Sequence, residues 1–430
     1  MPPSPGLTDA PSLLLLPCPP EPVTAVTVRA AYYEPLDSTI SRLSNEYGSS
    51  TAGGVGPILV IAVASPVLTP ERDNIRLVYW RRSQSILAEI YSLVASICAK
   101  RSIASDLEAD DPGAVDIRVV LIDHSRASEG LYKPNSRGVY ELNSSTILDL
   151  ATFASTVHPW RQIFHPSSEQ GYELLASFLK YSEGSQKLQH KQLVAVEGGL
   201  SLSNPAPALA ADQAIEKSMS DACEGYSTVC LGGTFDHLHP GHKLFLHAAV
   251  LLLNVKDTRA KTGHQCELVI GISSDELLLK KKYAEELQSW DIRARSVINF
   301  LSTLLSTSTT AAMHMKAVQA ETKELHARYR DGSILVRCVD FHDVYGPTVK
   351  EEAIEALVVS RETRSGGAVV NEKRRSQGWS ELKVYEIDVL DVSFDTDNGI
   401  ENEKAANNFA GKISSTEIRK QKAERRRTSS

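Results

Sequence analysis

Continuous apolar runs of strand length recur along this chain of 430 residues, and most are followed by a stretch with helical spacing. In the first half, ILVIAVA (58–64) and DIRVVLIDH (116–124) read as strands buried on both faces, because neither alternates apolar with polar positions. Ile86 to Ile103 carries apolar residues three and four apart and predicts an amphipathic helix. Residues 145–187 predict mostly helix, interrupted at His158-Pro159 and His165-Pro166. The Pro- and Leu-rich residues 1–25 predict a loose arm, and NEYGSSTAGGVGP (45–57) a loop. Residues 26–196 therefore predict an N-terminal α/β domain.

The pattern changes at 197–225, where Pro, Ala and other small residues dominate and no strand-like run occurs, which predicts a linker. Beyond it the alternation is regular. Strands are predicted at STVCLGG (227–233), ELVIGISS (267–274), SILVRCVDF (333–341), LVVSRET (357–363) and LKVYEIDVL (382–390). Helices are predicted from Pro240, over about 285–305, at VKEEAIEA (349–356) and at GGAVVNEKRRSQ (366–377), with extra helix and loop at 302–330. Residues 226–420 thus predict a Rossmann-like α/β domain, a doubly wound, parallel, five-stranded sheet, with a basic tail at 421–430.

Composition narrows the picture. With 53 acidic against 46 basic residues and a net charge of −7, the chain as a whole is not a nucleic-acid binder. The six cysteines form no C-x-x-C and no zinc-like spacing with histidine, so reduced thiols in a cytoplasmic or nuclear setting are expected, and no metal ligands are assigned. The apolar stretch Leu13–Leu16 is too short for a membrane span and lacks the basic start of a signal peptide. GGVGP (53–57) lacks the Gly-Lys-Ser/Thr of a phosphate loop.

The chemistry concentrates in VCLGGTFDHLHPGHKLFLHAAVLLL (229–253), which holds four of the twelve histidines. Its turn lies at the carboxyl end of a predicted strand and the start of a predicted helix. Pro240 suits a first helical position, and free N–H groups there attract phosphate. Gly232 and Gly233 leave the backbone open to a ligand, Thr234 adds a hydroxyl, and His239 and His242 belong to the helix start. Two imidazoles, a hydroxyl and bare amides suit a polyphosphate. A structural, hydrogen-bonded set of histidines is the other reading. Near the end of the chain, Ser414 and Glu417 form a Ser-x-x-Glu capping pattern that predicts a second helix start.

The string Gly232-Gly233-Thr234-Phe235-Asp236, with His239-Pro240-Gly241-His242, resembles the first signature of the nucleotidyltransferase superfamily. Ile413-Ser414-Ser415-Thr416-Glu417-Ile418-Arg419 resembles its second. With DVYGPT (343–348) and VVSRET (358–363) between them, the stretch 226–420 resembles phosphopantetheine adenylyltransferases of the eukaryotic, fungal type. The resemblance implies transfer of AMP from ATP to 4'-phosphopantetheine in coenzyme A synthesis, with Mg²⁺ accompanying ATP. It implies that His242 donates to the α-phosphate, His239 binds the ATP phosphates, Thr234 orients the attacking phosphate, and the Phe235 backbone and Gly241 lie near the nucleotide. It also places a phosphate-binding lysine in Lys280-Lys281-Lys282, with Lys281 preferred over Lys282, and Arg374, or its neighbour Arg375, on the β- and γ-phosphates. Ser414, Ser415, Thr416 and Arg419 would face the triphosphate. The sequence departs from the family at Val344, where proline is usual, and at Arg364-Ser365-Gly366-Gly367, where arginine is expected beside the glycines. No G-x-x-x-x-G-K-[ST] loop for a dephospho-coenzyme A kinase occurs, so a single activity is expected. The alternatives are another small-molecule nucleotidyltransferase, such as one acting on nicotinamide mononucleotide, and a non-catalytic nucleotide-binding scaffold for other coenzyme A enzymes, a role the N-terminal half also suits.

Overall fold

The computed structural model describes residues 10–48, 56–70, 76–106, 111–125, 144–199, 222–255, 265–307, 315–319, 323–387 and 414–429. The chain divides into two compact units that part between Glu224 and Gly225. Most of the linker expected at 197–225 lies outside the described residues.

In the first unit the elements run β1 (Ser12–Leu16), α1 (Ala25–Gly48), β2 (Ile58–Ser65), β3 (Val78–Tyr79), α2 (Trp80–Arg101), β4 (Asp116–Asp123), β5 (Leu148–Asp149), α3 (Leu150–Thr156), β6 (Ile163–Pro166), α4 (Glu169–Ser182), β7 (Leu193–Val196) and β8 (Ala222–Cys223). Six strands form one parallel sheet in the order β5-β4-β2-β1-β6-β7, and β3 pairs with β8 separately. The loose arm expected at 1–25 is a correction: Ser12–Leu16 is an inner strand, with Leu14 paired to both Ile61 and Phe164. All four leucines, Leu13 to Leu16, are buried. Burial of each contributes roughly 1.5–3 kcal/mol, enough to hold so short a run between two neighbours. A second correction concerns His165-Pro166, expected to interrupt helix, which closes strand β6.

In the second unit the elements run β9 (Thr228–Gly233), α5 (Pro240–Val250), β10 (Cys266–Ser273), α6 (Asp275–Leu278), α7 (Trp290–Leu305), β11 (Met315–Gln319), β12 (Lys323–Tyr329), β13 (Ile334–Phe341), β14 (Ala356–Val359), α8 (Arg364–Ser376), β15 (Lys383–Glu386) and α9 (Ser415–Ser429). The sheet order is β11-β12-β13-β10-β9-β14-β15. The strands from β13 to β15 are parallel, but β11 and β12 add an antiparallel pair at one edge. The sheet therefore has seven strands where five were expected, because the stretch read as extra helix and loop supplies two of them.

VKEEAIEA, expected as a helix, forms none: a short 3-10 turn covers Gly346–Val349, and turns and extended chain lead on to β14. The physical reason is Arg374. Its guanidinium accepts no proton but donates five times, to the carbonyls of Thr348, Glu351, Glu352, Ile354 and Ser380. Those carbonyls are thereby withheld from a helical ladder. Cys230, Val269, Leu357 and Val359 from the sheet pack with Val370 from α8 in one core cluster, while α5 packs on β9, β14 and α7.

Candidate active site

From β9 the chain passes to β10 and then β13 on one side, and later returns to β14 on the other side of β9. The order therefore reverses at β9, and in an open α/β sheet the crevice at such a point, outside the carboxyl ends of the strands, is where ligands bind. The turn Thr234–His239 follows β9 at that point.

Local geometry makes the turn sharp. Phe235 and His237 both have left-handed backbones, with φ of 51° and 45°. Such conformations are costly for residues with side chains, so the surroundings must hold them. Phe235 is fully buried and packs on the rings of His242 and Phe245, with centroids 5.4 Å and 6.2 Å away. A Cβ on Gly233 would lie 3.0 Å from the Phe235 ring, so any side chain there would have to push that ring aside, whereas Gly232 is exposed with open space beside it.

Behind the turn lies a polar frame. Asp236, fully buried, accepts from the Gln288 N–H at 3.0 Å through Oδ1 and from Arg419 Nη1 at 2.6 Å through Oδ2. Gln288 Oε1 in turn accepts from the His237 N–H. Arg293 on α7, also fully buried, donates to the carbonyls of Thr234, Ser273 and Gln288 and to the Asp275 carboxylate. Gln288 and Arg293 were not among the residues expected from sequence, and Asp236 was read as part of the first signature without a role. Arg293 could have been found, since it shares a helical face with Val297, Leu301 and Leu304, where an arginine is out of place unless its donors are used.

In front of the frame, His239 precedes α5 as its N-cap, Pro240 is the first helical residue, and Gly241 lies in the first turn. The His239 and His242 rings stack with centroids 3.9 Å apart and planes 25° apart. The Nδ1 atoms of both are buried and lack a hydrogen-bond partner. Burial, then the neighbouring His242, Lys243 and His237, hold the His239 pKa well below the ordinary imidazole value. Burial and then His237 lower that of His242 to about 3. Both rings are neutral near pH 7, and each ring of a stacked neutral pair at a helix start can donate one N–H to an anion.

The second signature comes to the same turn, although Ile413 lies outside the described residues. Ser414 accepts from the Glu417 N–H and so begins α9 as the capping pattern predicted. Ser415 Oγ donates to the Asp236 carbonyl at 2.9 Å, and Arg419 Nε donates to the Lys282 carbonyl at 3.1 Å. These bonds bring the lysine loop, the turn and the start of α9 together. The side chains of Lys280, Lys281 and Lys282 are exposed, and Thr234 is half-buried.

Two arginines differ from expectation. Arg374 is fully buried, and its five N–H donors all meet main-chain carbonyls, so none is left for a phosphate. Arg375 is exposed and pairs with Glu381. Arg419 is buried too, engaged by Asp236, Lys282 and the Thr416 hydroxyl rather than held open toward a ligand.

Residues 1–202 match a family described as a domain of unknown function, DUF8446. The phosphopantetheine adenylyltransferase of Saccharomyces cerevisiae is 34% identical over 195 residues, 45% of this chain and 48% of the yeast protein. The chain thus spans about half the length of that relative. The phosphopantetheine adenylyltransferase of Methanothermobacter thermautotrophicus is 31% identical over 195 residues, covering 84% of its own length, and that of Pyrococcus furiosus is 28% identical over 165 residues, covering 79%. A solved structure from Archaeoglobus fulgidus, of a protein with unknown function, matches at 23% identity and a TM-score of 0.26, covering 37% of this chain and 89% of that one. With the archaeal Methanothermobacter protein matched over most of its length, the chain belongs to the phosphopantetheine adenylyltransferase family.

Proposed function

We propose that the second unit is a pantetheine-phosphate adenylyltransferase. It transfers AMP from ATP to 4'-phosphopantetheine, giving dephospho-coenzyme A and pyrophosphate. The observation that carries the reading is the stacked pair of neutral histidines with unpartnered nitrogens, set at a helix start where the strand order reverses. The names of the relatives supply the substrate class.

The acceptor's phosphate oxygen attacks the α-phosphorus of ATP in line, and the bond to the β-phosphate oxygen breaks. The nucleophile is already ionised at neutral pH, so no general base is required and catalysis rests on positioning and charge stabilisation. His242 donates to the α-phosphate as charge builds, and His239 holds the phosphates at the start of α5. Thr234 orients the attacking phosphate, and the bare backbone at Gly232 admits it. Ser414, Ser415 and Thr416 present the start of α9 to the triphosphate, with Lys281 as the exposed cation of the neighbouring loop. Arg419 acts behind the turn, and Arg374 holds the segment that leads into β14. Among the described residues no group of three or more His, Cys, Asp or Glu side chains could hold a metal ion. Magnesium would enter as MgATP, bound by the substrate's own phosphates.

A panel of phosphorylated acceptors with MgATP, followed by pyrophosphate release, tests the assignment. Turnover is expected with 4'-phosphopantetheine. Turnover with nicotinamide mononucleotide in its place would overturn the assigned acceptor, and the absence of turnover with every acceptor would favour a nucleotide-binding scaffold.

A further inference from the structure

We propose that Asp236 and Arg419 form a clasp that docks α9 onto the catalytic turn, and that the two are positioning residues through which the start of α9 is delivered to the nucleotide. The inference rests on the proposed function for its ligand, but the clasp itself is read from contacts alone.

One guanidinium joins three segments that are far apart in sequence. Arg419 Nη1 meets Asp236 of the turn at 2.6 Å, Nε meets the Lys282 carbonyl of the lysine loop at 3.1 Å, and Nη2 meets Thr416 Oγ1 of its own helix at 3.2 Å. The Asp236–Arg419 pair is almost completely shielded from water, with side-chain exposures of 0% and 2%. The other Asp236 oxygen is held by the Gln288 N–H, so the carboxylate cannot turn away. Ser415 reinforces the joint by donating to the Asp236 carbonyl. Further along α9, Ala423 is buried and Arg426 pairs with Glu286.

The character of this joint matters. The first turn of α9 is attached by polar contacts, whereas α5 and α7 are attached by broad apolar faces. Removing one member of a buried ion pair leaves the other charged and unsatisfied, which strongly disfavours the docked arrangement. The Thr416 hydroxyl and the positive end of the α9 dipole reach the phosphates only when the helix is docked. Nucleotide affinity should then scale with the docked fraction.

The test combines hydrogen exchange of the full-length chain with steady-state kinetics for Asp236→Asn, Arg419→Gln, Arg419→Lys and the double variant Asp236→Asn with Arg419→Gln. In Asp236→Asn, amides of 415–429 should exchange at least about tenfold faster while those of β9 and β10 keep their protection. If the docked fraction falls to roughly 1–10%, the KM for ATP rises about 10- to 100-fold, while kcat at saturating ATP stays within about threefold, because nucleotide pulls the helix back. Arg419→Lys keeps the charge opposite Asp236 but loses the planar fork, so its effects should fall in between. The double variant should be no worse than the more severe single one, since both remove one interaction.

Exchange of 415–429 unchanged in both Asp236→Asn and Arg419→Gln would overturn the clasp, as would additive effects in the double variant. Faster exchange across β9 and β10 in Arg419→Lys as well would mean the pair merely supports the fold. The exchange arm uses no substrate. If the wild-type chain failed to adenylylate 4'-phosphopantetheine, the proposed function would fall while exchange still judged the clasp.

Discussion

In the first unit, polar groups at the end of β4 and around the start of α2 pair with one another, although Arg82 Nε and the Ser83 hydroxyl are buried without a partner. Asp123, ending β4, accepts from the N–H groups of Val67 and Leu68 and pairs with Arg76 at 2.6 Å. Arg82, at the start of α2, pairs with Glu21, and the Tyr32 hydroxyl donates to the Pro17 carbonyl. In the second unit the groups behind the turn are occupied, but those in front of it are not. Asp236, Gln288, Arg293 and Arg419 satisfy one another, while His239 and His242 keep unpartnered nitrogens and the three lysines of the loop joined to Arg419 stay exposed. Both units are built on parallel strands, so the architecture does not distinguish them. What distinguishes them is the stacked histidine pair at a helix start where the strand order reverses, which is why function is argued from the site rather than the sheet.

The sharpest way to break this contrast is Arg374→Met. If Arg374 belongs with the frame, the change leaves buried carbonyls without a donor at about 1 kcal/mol or more each, so roughly 4–5 kcal/mol of stability is lost. Thermal melting should show a fall in Tm of roughly 10 °C or more, and the KM for ATP of the folded fraction should stay within about twofold. A large rise in KM with an unchanged Tm would return Arg374 to the phosphate site.

The next largest effect belongs to the front of the turn. His242→Ala should cut kcat by about a hundred- to a thousandfold, or roughly 3–4 kcal/mol of transition-state stabilisation, with little change in KM for ATP. Steady-state kinetics on protein that melts like wild type decides it, and a near-normal kcat would make the histidine turn structural.

Leu14→Ala probes the other unit. Opening a cavity beside β1 should cost about 2–5 kcal/mol in the first unit. The kcat of the folded protein should be unaltered, and a parallel loss of kcat would show that the first unit takes part in the chemistry.

The pH dependence is the subtlest effect. The folded chain leaves His239 and His242 neutral, His242 down to about 3, whereas the unfolded chain protonates both below about pH 6.5. The stability contributed by neutral burial is therefore fully present above pH 6.5 and is lost progressively as the pH falls toward 3. Urea unfolding at pH 7, 5.5 and 4.5 should show a shallower decline for His242→Gln than for wild type, and equal slopes would mean the histidine is not held neutral.

Much of the framework was legible along the chain because buried parallel strands announce themselves as unbroken apolar runs. ILVIAVA and DIRVVLIDH correspond to β2 and β4, and SILVRCVDF to β13. Leu13–Leu16 was not legible as a strand, since four leucines between prolines resemble a tail until two neighbouring strands bury them. MKAVQ and KELHARY mix polar and apolar positions and acquire a sheet partner only through β13. VKEEAIEA carries good helix formers, and the distant Arg374 overrides that preference.

For the site, sequence by itself determined the residues whose roles are local. A glycine pair, a proline at a helix start and histidines three positions apart define the turn through chain geometry within a dozen residues. The capping serine of α9 is equally local. Tertiary structure alone decided what each charge is for. Arg374 and Arg419 are alike in chemistry, and nothing within a few residues of either says whether its donors face solvent or carbonyls, whereas the apolar face around Arg293 gives its burial away. Asp236 and Arg419 lie 183 residues apart, and a buried charge is stable only where a partner is brought to it. That partner is fixed by the fold, so the direction in which a cation points cannot be read from the chain that carries it.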